Sequence, residues 1–117
     1  MSQNNERTEI DTLLQKPTED LFVLLADNAG LGADEMDKES SGRTFFSRVW
    51  RNQKEAICGN NIVKLYIGDP STSDATTIAT QVLGLLIAVP GINMALIACL
   101  AVRIGLRKLC GAAEKNE

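Results

Sequence analysis

Basic side chains on one predicted helix are the residues whose types and spacing point most directly to a binding function. The segment "RTFFSRVWRNQKEAIC", residues 43–58, places aromatic and aliphatic residues on one helical stripe and basic residues off it. These basic residues are Arg43, Arg48, Arg51 and Lys54, and a second basic group near the end of the chain contains Arg103, Arg107 and Lys108. Charge complementarity mainly sets partner choice and association rate, so these residues form the candidate interaction surface.

The basic helix has two interpretations. A basic, aromatic amphipathic helix can lie on an anionic membrane surface with its apolar stripe in the lipid. It can also be a bundle helix whose stripe enters the core while its basic face is solvated. Trp50 lies on the stripe with Phe46 and Val49, and we expect it to be a buried core anchor.

The charges of the chain are distributed unevenly. Residues 1–41 carry ten acidic and three basic residues, a net charge of −7, whereas residues 42–117 carry nine basic and five acidic residues, a net charge of +4. We therefore expect the two halves to pack together and neutralise each other, which would cover the basic patches. A nucleic-acid partner is not expected, because the bases are few and the whole chain is acidic.

The sequence lacks the residue types of most active sites. It contains no histidine, which is the commonest general base and the usual partner of serine and cysteine nucleophiles. No glycine loop matches a phosphate cradle, and the acidic residues at 34–39 lack the spacing and the turn glycine of a calcium loop. We therefore predict a non-enzymatic protein with no catalytic residue, no cofactor and no metal site.

The cysteines are Cys58, Cys99 and Cys110, an odd number without a CxxC pair. The N-terminal stretch "MSQNNERTEID" is polar and acidic, unlike a signal peptide. Together these features favour a cytoplasmic protein with buried, free thiols. Cys99 lies inside an apolar segment and is expected to act as a small hydrophobic residue.

That apolar segment is a run of 25 residues without charge, 78–102, and its mean hydropathy is typical of membrane spans. Pro90 and Gly91 interrupt it with a turn signal, and Asn93 is a good N-cap for a following helix. The apolar part before the turn is also shorter than the roughly 20 residues that a bilayer requires. The run therefore predicts a tight helical hairpin with helices over about 74–89 and 94–110.

Small residues on each arm of this hairpin suggest close helix packing. They are Gly84 and Ala88 on the first arm, and Ala95, Ala98 and Gly105 on the second. Such residues allow helix backbones to approach closely, both in membranes and in tight soluble hairpins. The stripe therefore does not distinguish between the two environments.

Capping and turn residues predict the remaining elements. Thr8 and Asp11 have the spacing of a capping box at the start of a short helix. A second helix follows Pro17 and ends at Gly30. Residues 61–70 are either a helical turn or a short strand, and the strand is the weaker alternative because it has no partner. Three further segments are predicted to be irregular: flexible tails at 1–7 and 111–117 and an acidic linker at 30–42.

These elements predict an all-α fold for a single domain, residues 1–117, with about five helices in total, two of which form the central hairpin. The predicted function is that of a cytoplasmic adaptor or regulatory module that binds a protein partner or self-associates. The alternative is a membrane-associated or membrane-inserted protein, such as an anchor or a membrane-acting effector. It would have a kinked span or re-entrant hairpin at 78–102 and the basic helix 43–57 on the headgroups.

Overall fold

The computed structural model describes residues 2–31 and 35–112, and most of them are helical. The α-helices are α1 Ser2–Leu14, α2 Thr18–Ala29, α3 Glu35–Cys58, α4 Asn61–Gly68, α5 Ala75–Leu85 and α6 Met94–Ile104. A 3-10 turn follows α4 at Pro70–Thr72, and a π turn ends the described chain at Lys108–Ala112. The described residues include no strand, so the all-α prediction is confirmed and the segment after residue 60 is a helix.

Helix α6 lies at the centre of the fold. Every residue from Met94 to Ala101 is buried, and α1, α2 and α5 pack around this helix. A helix that is apolar on all sides is stable in this position because the amphipathic helices around it bury their own apolar stripes against it. In the described ranges, no helix combines the length and the apolar character needed to cross a bilayer.

The apolar run divides into two helices as predicted, but the connection between them is wide instead of tight. Helix α5 ends at Leu85, short of residue 89, and residues 86–93 are not helical. The buried side chain of Gln53 explains this early end, because it binds both backbone groups of Ile87. Its Nε2 donates to the Ile87 carbonyl at 2.9 Å, and its Oε1 accepts from the Ile87 N–H at 2.6 Å. Asn93 caps α6 as predicted, accepting a hydrogen bond from the Ala95 N–H at 3.1 Å.

The second arm of the hairpin is also shorter than predicted. Helix α6 ends at Ile104 instead of residue 110, because Gly105 adopts a φ of 118° that other residues rarely reach. After Gly105 the chain continues to Leu106, whose side chain is buried. Residues 104–110, which comprise the last residue of α6 and the chain beyond it, form the segment 104–110, and Leu106, Leu109 and Cys110 pack this segment against the core.

Three boundaries in the N-terminal half differ from the predictions. Helix α1 begins at Ser2, so the predicted capping box at Thr8 and Asp11 is wrong. Residues 2–7, which were predicted to be a flexible tail, are helical. The Asp11 carboxylate instead accepts a hydrogen bond from the Thr76 hydroxyl at 2.9 Å. The predicted linker is wrong for residues 35–42, which form the first turns of α3. Residues 32–34 and 113–117, which include most of the predicted C-terminal tail, lie outside the described residues.

Close helix packing depends on a glycine that the sequence pattern did not single out. A Cβ atom on Gly42 would overlap the backbone carbonyl of Phe22, so α3 can approach α2 only because residue 42 is glycine. The predicted close packing at Gly84 and Ala88 is wrong, because both residues are exposed and Gly84 has open space where a Cβ would lie.

We expect alanine to have opposite effects at these two glycines. In both helices alanine gains up to about 1 kcal/mol of helix propensity. At Gly42 the new methyl group must push two backbones apart, and such overpacking costs about 1–3 kcal/mol, so Gly42→Ala should destabilise the protein. Gly84→Ala should stabilise it. Urea unfolding followed by circular dichroism measures both changes, and equal stabilisation by the two variants would contradict the α2–α3 packing.

Candidate functional site

Helix α3 buries its aromatic stripe in the core. Phe46, Val49 and Trp50 are all buried, and the ring centroids of Phe46 and Trp50 lie 6.1 Å apart with nearly parallel planes. Phe46 also meets the ring of Phe22 edge-on at 6.2 Å, which links α3 to α2. Trp50, at 6% exposure, is therefore the core anchor that the sequence predicted.

A groove of about 380 Å³ lies between α3 and the segment 104–110, and we call it the C-terminal groove. Its lining contains Phe46, Ser47, Trp50, Arg51 and Lys54 from α3, together with Ile104 from the end of α6 and Lys108 and Leu109 from the chain after it. The surface inside is mainly apolar. Concave sites of this size and character are typical ligand or side-chain binding sites.

The groove brings together residues from both predicted basic groups. Arg51 and Lys54 come from α3, and Lys108 comes from the far end of the chain. Arg51 and Lys108 are exposed, and Lys54 is half-buried. Among the described residues the lining contains no carboxylate, and Arg51 and Lys108 add positive charge to a concave apolar surface, which concentrates their field.

The other members of the predicted surface lie elsewhere. The Arg43 guanidinium forms a 2.9 Å ion pair with Glu39 and lies 4.5 Å from the centre of the Phe22 ring, which is a stabilising arrangement. Arg48 lines a separate hollow of about 260 Å³ together with Phe45 and other residues. Arg103 and Arg107 are exposed and do not line the groove. The seven predicted residues therefore do not form one continuous surface.

The acidic N-terminal half of the chain neutralises only some of the basic side chains. Glu39 pairs with Arg43, and Asp27 pairs with Lys38 at 2.6 Å. Among the described residues, neither Arg51 nor Lys108 has a carboxylate within ion-pairing distance. Arg51 and Lys108 therefore place positive charge beside the apolar surface of the groove.

A disulfide bond joins Cys58, at the end of α3, to Cys110, and their Cα atoms lie 5.7 Å apart. The prediction of free thiols is wrong for these two residues, which are 52 positions apart in the sequence and meet only in the fold. The cytoplasmic expectation loses its support from free thiols, because disulfides are typical of oxidising compartments. Cys110 directly follows Leu109, so the bond fixes one wall of the groove to the other.

Cys99 is free and buried, as predicted. Burial in the core, with a smaller effect from the Glu9 carboxylate, raises the pKa of its thiol to about 12. The thiol therefore stays protonated at neutral pH, and its Sγ donates a long hydrogen bond to the Ile10 carbonyl at 3.8 Å. Cys99 is a core residue without nucleophilic character.

The apolar part of the groove was not predicted from the sequence. Ile104 and Leu109 were placed on one continuous helix, whereas Ile104 is the last residue of α6 and Leu109 follows the break at Gly105, and both line the groove beside α3. Trp50 was predicted to be buried, but its position at the edge of a groove was not. Its indole Nε1 is buried and has no hydrogen-bond acceptor among the described residues.

The function of the groove has to be inferred from its own residues. A helical bundle does not by itself indicate a function, because one fold supports many unrelated activities. No family model, no curated protein and no solved structure matches the chain.

Proposed function

We propose that the protein is a non-enzymatic interaction module that binds an acidic protein partner through the C-terminal groove. The observation that carries this proposal is the meeting of Arg51 and Lys108, from opposite walls, around one mainly apolar groove whose described lining contains no carboxylate. Fixed positive charges of this kind steer an acidic partner and reject basic ones. The apolar surface adds affinity when it is covered.

Two observations favour a protein partner over the alternatives. Helix α3 buries its apolar stripe, whereas a helix that lies on a membrane needs that stripe free to enter the lipid. Among the described residues, the groove lining also has no imidazole, thiol or carboxylate that could activate a serine or lysine as a nucleophile. These features support binding without catalysis.

Charge reversal at the groove tests the proposal. The double variant Arg51→Glu, Lys108→Glu should bind immobilised peptides of glutamate and serine at least about tenfold more weakly than wild type at low salt. Wild-type binding should itself weaken as salt is added, because exposed charges are screened. Biolayer interferometry measures both effects, and circular dichroism checks that the variant is folded.

A matched control separates the groove from net charge. Arg48→Glu with Arg107→Glu makes the same charge change on exposed residues that do not line the groove. The control should retain most of the binding. Equal loss in both double variants, or no binding of acidic peptides by wild type, would overturn the proposal. If the groove instead binds a second copy of the chain, sedimentation will detect a dimer that salt dissociates.

A further inference from the structure

We infer that the segment bound in the C-terminal groove carries one large apolar side chain between acidic residues, and that this side chain inserts beside Trp50. The inference rests on the proposed function and specifies the chemistry of the partner. It follows from the shape of the groove, the placement of its charges and the covalent link between its walls.

The apolar surface of the groove comes from both walls. Phe46 and Trp50 contribute from α3, and Ile104, at the end of α6, and Leu109, beyond it, contribute from the segment 104–110. Ile104 and Leu109 are only partly buried, so they leave apolar area in contact with water. A large apolar side chain from a partner would remove that area from water, which is the main source of affinity at protein interfaces.

The charges lie on both sides of this apolar surface. Arg51 and Lys54 belong to the α3 wall, and Lys108 belongs to the opposite wall. A segment with its apolar residue in the groove would therefore meet cations on each side. The Arg51 guanidinium can bind a carboxylate through two parallel hydrogen bonds, whereas the lysines act as point charges. Acidic residues flanking the apolar one match this arrangement.

The groove is preformed by the disulfide. Cys58 and Cys110 join the end of α3 to the residue after Leu109, so the two walls are linked close to the groove itself. A site that is already in its bound shape loses less conformational entropy on binding. The short segment 104–110 can therefore act as a rigid wall although most of it lies beyond the end of α6.

Trp50 is the only tryptophan of the chain and lines the groove, so its fluorescence reports occupancy directly. We propose titrations with three short peptides that lack tryptophan: one of glutamate and serine with a central phenylalanine, one with alanine in place of the phenylalanine, and one with lysines in place of the glutamates. The acidic phenylalanine peptide should bind tightest and shift the Trp50 emission. The alanine peptide should bind about tenfold to a hundredfold more weakly, and the basic peptide should not bind.

A pair of variants on one helix tests the location. Ser47 is exposed and lines the groove, whereas Asn52 is exposed on α3 and does not line it. Ser47→Phe should fill the groove and abolish the preference for the phenylalanine peptide over the alanine peptide. Asn52→Phe should leave that preference unchanged. Lys108→Glu, which adds no bulk, should weaken both acidic peptides and provides a second test if Ser47→Phe does not fold.

The outcomes distinguish this inference from the proposed function. Equal binding of the two acidic peptides, with both weakened by Lys108→Glu, would overturn the apolar anchor and leave the acidic partner in place. Absence of binding to both acidic peptides would overturn the inference and the proposed function together. If vesicles of phosphatidylserine shift the Trp50 emission and the peptides do not, the occupant is a membrane and both are wrong.

Discussion

The double variant Cys58→Ser, Cys110→Ser should lose about 4 kcal/mol of unfolding free energy, which is the chain-entropy value for a crosslink between residues 52 positions apart. The bond restricts the unfolded chain across α4, α5 and α6, so its loss gives the unfolded state many more conformations. Guanidinium unfolding under oxidising conditions, followed by circular dichroism, measures this difference between wild type and variant.

Reduction of the wild type provides the matched control. With dithiothreitol the unfolding free energy of the wild type should fall to that of the double variant. Dithiothreitol should not change the unfolding free energy of the double variant. A thiol assay on the unfolded, unreduced wild type should find only the thiol of Cys99. If dithiothreitol leaves the wild-type midpoint unchanged and the assay finds every cysteine free, the disulfide does not form.

The same bond links stability to the proposed binding. Leu106 is buried and stays anchored without the disulfide, so the reduced protein is expected to keep its central helices. The wall that carries Lys108 and Leu109 would then be held by fewer constraints. Binding of the acidic peptides should therefore weaken on reduction although the helical content is largely retained, and that combination would show that the crosslink shapes the groove.

The sequence predicted those features that depend on neighbours along the chain. The stripe of α3 follows from helical spacing, and its position in the core was predicted from Phe46, Val49 and Trp50. The cap at Asn93 and the left-handed turn at Gly30 are likewise local signals, and both are present. All of these involve residues within a few positions of one another.

The features that failed prediction depend on residues far apart in the sequence. Gly42 resembles an ordinary linker glycine until α2 is placed beside it. Gln53 ends α5 early by binding Ile87, which is 34 positions away. The C-terminal groove combines α3 with the segment after Gly105, so the two basic groups could be identified separately but not assigned to one site.

Trp50→Ala should lower the free energy of unfolding by about 3–5 kcal/mol, the range for truncating a large buried aromatic side chain. The indole is 6% exposed and stacks on Phe46, which in turn contacts Phe22, so its loss leaves a cavity between α3 and the core. Phe45→Ala, on the same helix, should cost less because Phe45 is only partly buried. Urea unfolding followed by far-ultraviolet circular dichroism measures both, since Trp50→Ala removes the fluorescent residue.

Trp50→Phe tests the effect of the indole N–H group separately from the effect of the aromatic ring. The Nε1 atom is buried without an acceptor among the described residues, so this substitution removes an unsatisfied donor that costs about 1–3 kcal/mol. That gain offsets part of the lost ring volume, and phenylalanine can keep the stacking on Phe46. Trp50→Phe should therefore be much less destabilising than Trp50→Ala. If the two variants lose equal stability, the indole N–H has an acceptor in solution, and the interpretation of Trp50 as a packing residue beside the groove is wrong.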